Sequence, residues 1–260
     1  ALPRLSFQAL LTPVITRCLD LLAKALILAA GLGSRLEKST ADRPKALVQV
    51  RGRPILSYQL SALRDNAITD VGIVLGYEGR SLVEYVEREF PDLQVRYFWN
   101  RDYATTNSSY SFWMAYDWIR ESAYVHLNCD IIFSPSLLAK VIESRRTNLI
   151  AIRTDVEPRD GMENVAVEGG RITKMSINRF DQSVGKAFGL AKFGTDSTEF
   201  LAGLMRGWLR EGDRNQHYYG LIRRAAQELD YYALDATDDL LLEVNTLSDL
   251  ADAEQALEGM

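Results

Sequence analysis

The 260-residue sequence contains two cysteines, Cys18 and Cys129, and two histidines, His126 and His217. The cysteines lie far apart and form no CxxC pair, which excludes a disulfide framework and a thiolate zinc site. Two histidines leave no material for a histidine-rich metal centre. No apolar run reaches the ~18–20 residues needed to span a bilayer. Charge of one sign is nowhere concentrated: the formal net charge is -5, and no block of five or six like charges occurs. Binding nucleic acid irrespective of sequence needs a basic face, so nucleic acid is not an expected partner. A small anionic ligand stays open, because a few local cations and backbone N–H groups suffice for it. Residues 1–22 are apolar but interrupted by Arg4, Gln8, Pro13, Arg17 and Asp20. They lack a basic start leading into a clean apolar stretch and do not read as a signal peptide. A cytosolic protein without a membrane partner is the expectation.

What is present is ordinary globular material, 47% hydrophobic and 25% charged, and the length suffices for one α/β domain with a large core. Residues 1–23 stand apart as a helical extension, because Leu10, Leu11, Val14, Ile15, Cys18, Leu19 and Leu22 recur at helical spacing. An extension, a linker remnant and a homodimer contact are all open uses for it. From Lys24 to the last residue, 260, the pattern predicts a single further domain. Its short apolar run Ala25–Ala29 reads as a central parallel strand, with helices over 55–66, 81–90 and 109–119 and strands over 71–75, 94–99 and 124–127. Strands alternating with helices imply a doubly wound, mostly parallel sheet. After about Asn148 the character changes to strands over 149–153, 164–168, 171–177 and 188–193, with helices over 197–210, 218–229 and 249–257. The second half therefore adds antiparallel strands along one edge.

The strongest local signal follows the first strand: Leu28-Ala29-Ala30-Gly31-Leu32-Gly33-Ser34-Arg35-Leu36. Two glycines let the backbone approach a bulky anion, and Ser34 can start a short helix whose positive end adds to the same field. Lys45 follows ten residues after Arg35, in Arg43-Pro44-Lys45-Ala46-Leu47. Two fixed cations and several backbone donors around one concavity are what a triphosphate requires. A dinucleotide fingerprint is excluded, because Leu36 stands where its third glycine belongs and no acid follows about 20 residues on. That removes a nicotinamide-dependent oxidoreductase. A Walker A loop is absent.

These residues resemble the signature of sugar-phosphate-type nucleotidyltransferases, and in particular the branch of choline-phosphate, inositol-phosphate and aminoethylphosphonate cytidylyltransferases. The likeness extends to Gly52-Arg53-Pro54-Ile55-Leu56, Gly76-Tyr77, the run Asn100 to Ser111, Asn128-Cys129-Asp130 and Glu243-Val244-Asn245-Thr246. It implies a Rossmann-like fold of the glycosyltransferase-A kind. It also implies that Gly31, Arg35 and Lys45 hold the nucleotide phosphates, with Leu28, Ala29, Ala30, Gly33 and Ser34 among the other nucleotide-binding residues. Tyr77, Asn107 and Ser109 would lie near base and ribose, with Gly76 and Ser108 also binding the nucleotide. Asp130 would bind Mg2+, with Glu243 or Asn245 as the second ligand; an amide at 245 is a weaker ligand than the aspartate of many relatives. Lys45, Arg35 and Asp130 are the catalytic candidates. Asp249 reads as the start of the last helix.

The implied reaction passes CMP from CTP to a small phosphate or phosphonate and releases pyrophosphate. The nucleophile is already anionic near neutral pH, so no general base is required. Aromatics are plentiful, but the acid expected in a quaternary-ammonium cage is missing near Phe188–Phe193 and near Tyr218-Tyr219. Lys186 and Lys192, six apart and on one face of a regular strand, either suit an acceptor with further negative or hydroxyl groups or lie on a solvated strand face, with Tyr110 and Tyr218 completing the candidate contacts. Two other functions stay open: a uridylyl- or thymidylyltransferase acting on a sugar 1-phosphate, and a catalytically inactive nucleotide-binding subunit. Trp113, Trp118 and His126 read as core residues.

Overall fold

In the computed structural model, which describes residues 24–33, 36 and 43–258, Lys24–Ala29 forms β1, an interior strand of a nine-stranded sheet. The N-terminal helix expected before Lys24, together with Ser34 and Arg35, lies outside the described residues. β1 is interior because it is apolar on both faces: Ala25, Ile27 and Ala29 belong to one core cluster, Leu26 and Leu28 to the other. Each fully buried Leu or Ile contributes about 1.5–3 kcal/mol, so a strand greasy on both sides is costly anywhere but between two helical layers. β4 (Asp70–Leu75) and β6 (Tyr124–Asn128) flank it in parallel, and β5 (Gln94–Trp99) continues in parallel beyond β4.

Helices α1 (Ile55–Asp65), α2 (Gly79–Glu89) and α4 (Pro135–Glu143) cover one face, through Leu60, Leu63, Leu82, Val86, Leu137 and Val141. Helices α3 (Ser108–Ile119), α5 (Thr195–Arg210) and α6 (Tyr218–Ala225) cover the other, through Phe112, Ile119, Leu201, Met205 and Ile222. This is the doubly wound arrangement expected from the alternation of strands and helices. α4 was not anticipated, although Ser134 caps it by accepting from the Leu137 N–H and Pro135 opens it, the usual start signal.

Beyond β6 the sheet turns mixed. β11 (Gly185–Phe193) runs antiparallel to both β6 and β8 (Leu149–Arg153), with an irregularity in its pairing to β8 between Ala187 and Ala191. β12 (Tyr232–Asp235), β10 (Arg171–Ser176) and β9 (Asn164–Glu168) complete the order β5-β4-β1-β6-β11-β8-β12-β10-β9. Two small ribbons lie outside the sheet: β2 (Gln49–Val50) with β3 (Arg53–Pro54), and β7 (Ile131–Phe133) with β13 (Leu241–Glu243). The second ribbon matters most, because it carries the chain's last segment back beside Asp130. Helix α7 (Leu247–Ala256) follows, closed by a capping box between Thr246 and Asp249. Asp249 is thus the helix-starting acid expected from sequence. No described helix is long and apolar enough to cross a membrane.

Candidate active site

The carboxyl ends of β1, β4 and β6 meet at one edge of the sheet, where open α/β folds bind ligands. β1 ends in buried Ala29 and Ala30, and the chain then emerges at exposed Gly31. Gly33 sits at φ +65°, a left-handed conformation that a residue with a side chain rarely adopts. The end of β4 is locked to the same loop. Tyr77 N–H donates to the Ala30 carbonyl at 3.2 Å, and a Cβ on Gly76 would lie 2.3 Å from that oxygen. Gly76 is therefore required for the close approach, and the half-buried Tyr77 beside it meets Tyr103 edge-to-face at 6.3 Å.

At the centre of this edge three distant residues converge. Lys45, in a single 3-10 turn after Pro44, is almost fully buried. Its Nζ donates to Asp130 Oδ2 at 2.7 Å and to Asn245 Oδ1 at 2.8 Å. Asp130 leaves β6 in the turn toward β7, and its carbonyl accepts the Val244 N–H at 2.8 Å, which sets Asn245 alongside. The Asn245 and Thr246 N–H groups both donate to Asp249 at 2.8 Å, pinning that corner. The other oxygen of Asp130, Oδ1, is buried with no hydrogen-bond partner among the described residues. A buried carboxylate oxygen without a donor is uncommon and suits a cation. No group of three or more His, Cys, Asp or Glu side chains among the described residues could hold a metal. One carboxylate and one amide oxygen fit an ion that keeps waters and takes further oxygens from substrate, as Mg2+ does.

Glu243 lies beside Asp130 but is ion-paired with Lys186. Burial raises its pKa, and the neighbouring Asp130 charge adds to the effect, while Lys186 opposes both. Glu243 thus answers to Lys186 before any metal. Lys186 also stands 4.6 Å from the Phe188 ring centroid. Tyr219, on α6, donates its hydroxyl to the Phe188 carbonyl. Burial, and then the charges of Glu163, Glu243 and Asp130, push its phenol well above the ordinary value, so it stays a donor. Glu163 is held by Arg223, and its buried Oε2 has no partner among the described residues. Glu163 and Arg223 went unnoticed in the sequence, and Tyr219 was named there only as one of several aromatics; both Tyr218 and Tyr219 are buried, and only the hydroxyl partners tell them apart.

Two acceptor candidates are placed elsewhere. Lys192 pairs with the amino-terminal half of β6, opposite Val125, and Nζ donates to the Ile142 and Ser144 carbonyls at the end of α4. It is a buried clasp at the far end of the sheet, and burial lowers its pKa to about 8. The pairing irregularity breaks the regular spacing from which a shared face with Lys186 was expected. Tyr218 is fully buried; its hydroxyl meets that of Tyr124, at the opposite end of β6 from Asp130. Tyr110, half-buried under Arg214 at 5.5 Å, packs with the core on the α3 side of the sheet.

The nucleotide candidates at the start of α3 are tied into the fold. Asn107 caps the helix through the Ser108 N–H at 2.8 Å, Ser108 Oγ accepts the Tyr218 N–H at 2.8 Å, and buried Ser109 Oγ has no partner among the described residues. His126 is a core histidine: burial lowers its pKa to about 4, and Nε2 meets Asn128 Oδ1 at 3.1 Å. Trp118 packs against Gly72 and Trp113 stacks on Tyr116 at 5.2 Å, both as packing residues.

A doubly wound sheet whose carboxyl edge carries a glycine turn and a buried Lys–Asp–Asn cluster defines a nucleotide-handling enzyme of the Rossmann-like class. Residues 25–160 match the model of the MobA-like NTP transferase domain, more than half of the chain, and the protein belongs to that nucleotidyltransferase family. It is 31% identical over 138 residues to a CMP-5'-(3-aminopropyl)phosphonate synthase of Streptomyces rubellomurinus, covering 53% of this chain and 22% of that protein. The match thus spans under a quarter of that relative's length. Against a CTP:phosphoglutamine cytidylyltransferase of Campylobacter jejuni the identity is 28% over 194 residues, covering 68% of this chain and 74% of the relative. In fold, the chain is similar to the solved CTP:phosphocholine cytidylyltransferase of Streptococcus pneumoniae, with a TM-score of 0.73 and 22% identity over 90% of this chain and 99% of that one.

Proposed function

We propose that this chain is a cytidylyltransferase that moves CMP from CTP onto a small phosphate- or phosphonate-bearing acceptor, with Mg2+ as its cofactor. The observation that carries the reading is the Lys45–Asp130–Asn245 cluster beside the glycine turn. The turn after β1 offers backbone N–H groups to the triphosphate, and Lys45, with Arg35 as its expected companion, supplies fixed positive charge. Asp130 and Asn245 would hold the ion, which when bound neutralises phosphate charge and orients the two reacting groups.

An acceptor oxygen attacks the α-phosphorus, the bond from that phosphorus to the bridging oxygen breaks, and pyrophosphate leaves with the electron pair. No residue need take a proton from a nucleophile that is already ionised. Lys186, whose charge is shared with Glu243, is the cation assigned to the acceptor. With Lys192 serving the fold, two lysines no longer argue for extra negative charge on the acceptor. Glu163 and Tyr219 suit a hydroxyl or amine at its far end instead. The CTP reading draws on relatives named for cytidylyl transfer. Pyrophosphate release should be measured with CTP, UTP, dTTP, ATP and GTP, each with Mg2+, against a panel of small phosphates, phosphonates and sugar 1-phosphates. Release with CTP and a phosphonate or simple phosphate is the expected result; preference for UTP or dTTP with a sugar 1-phosphate overturns it.

A further inference from the structure

Gln59 sits on α1 in the apolar stripe of Leu56, Leu60 and Leu63, and it is fully buried. Its Nε2 donates to the Asn128 carbonyl at 2.7 Å and to the Ile131 carbonyl at 2.8 Å. Those two carbonyls bracket Cys129 and Asp130, so one side chain spans the turn that presents the carboxylate. Its own Oε1 is buried without a partner among the described residues. An unpaired buried acceptor lowers stability, and a leucine would fill the stripe without that penalty. The position therefore serves the two donors. The same turn is fastened from its other side, where the Asp130 carbonyl accepts the Val244 N–H and Glu243 pairs with Ile131. Asn245 projects from the residue directly after Val244.

We infer that Gln59, which touches no substrate, is a positioning residue: by bracing the 128–131 turn it sets Asp130, and through Val244 also Asn245, at the separation that receives a divalent cation. This rests on the assignment of those two residues as the metal-holding pair. Outlying groups that orient ligands typically change metal affinity 10–100-fold when removed.

The test is Mn2+ binding to the full chain without nucleotide or acceptor, followed by electron paramagnetic resonance, for the native protein and for Q59M, Q59N and D130N. Q59M keeps the volume and loses both donors. Q59N keeps an amide that is one methylene too short to reach both carbonyls, and it serves if Q59M does not fold. The expected result is Mn2+ binding at least 10-fold weaker in Q59M and Q59N, at a temperature where their melting curves show them folded. A purely structural glutamine would lower the melting temperature and leave Mn2+ affinity unchanged. If D130N loses Mn2+ while both Gln59 variants bind it normally, the inference about Gln59 is overturned alone. If D130N binds as tightly as the native chain, the metal assignment falls, and this inference with it.

Discussion

Three lysines divide the molecule into two regions. At the carboxyl ends of β1 and β6, Lys45 reaches across 85 residues to Asp130 and across 200 to Asn245, and the cluster it makes borders a glycine turn. In the second half, β11 carries Lys186 at one end and Lys192 at the other. The first is neutralised by Glu243, and the second is spent on helix-end carbonyls. In the region proposed for the nucleotide, the Lys45–Asp130 pair still leaves one carboxylate oxygen without a donor among the described residues. In the region proposed for the acceptor, Lys186 and Arg223 are each matched by a glutamate, so its chemistry depends on which partner each side chain finds. A lysine count along a strand says little about ligand charge until the register is known.

That contrast can be broken by substitution. Lys45→Ala should lower kcat/KM by about 10²–10³-fold, a loss of ~3–4 kcal/mol of transition-state stabilisation comparable to removing one oxyanion donor. Steady-state pyrophosphate release measures it, and near-normal turnover would remove Lys45 from the chemistry. Beneath the site, His126 links the regions through Asn128 and the Tyr218 ring. Its native pKa of about 4 lies below the ordinary 6.5. Between those values the unfolded chain binds a proton that the native one refuses, so stability is lost as pH falls from about 6.5 toward 4, by about 3 kcal/mol in all. Urea midpoints from pH 7.5 to 4.5 should show that slope, and His126→Gln should flatten it.

Lys192→Met should destabilise the fold by about 1–3 kcal/mol through unpaired helix-end carbonyls and leave both KM values as they were. A raised acceptor KM would instead return Lys192 to the site. The smallest effect is expected for Lys186→Gln: an acceptor KM about 10-fold higher, or ~1.4 kcal/mol, with CTP KM held. A change in CTP KM would mean that the two regions are not separable.

The region proposed for the nucleotide was the more legible in sequence for a physical reason. Its turn, the Pro44-Lys45 step and the Asn128-Cys129-Asp130 strand end are local signals, each set by backbone demands within a few residues. The sheet's first half was readable on the same grounds, since β1 and β4 are apolar runs and α1 and α3 show helical periodicity. The β7–β13 ribbon was not, because it joins segments about a hundred residues apart and has three residues a side. Neither was the Glu243–Lys186 pair, which only that ribbon creates. Gln59 left a trace that could have been followed: a lone amide inside a leucine stripe is out of place unless it has buried partners. Lys192 was misjudged because alternation along a strand holds only while pairing is regular, and β11 departs from that between Ala187 and Ala191.

The most direct test of the central claim is a crystal structure of the chain with CTP and Mg2+ bound. The account predicts a triphosphate along residues 31–33 within reach of Lys45 Nζ, and an ion touching Asp130 and Asn245. A nucleotide seated away from that turn, with the Lys45–Asp130 pair unchanged beside it, would contradict the account.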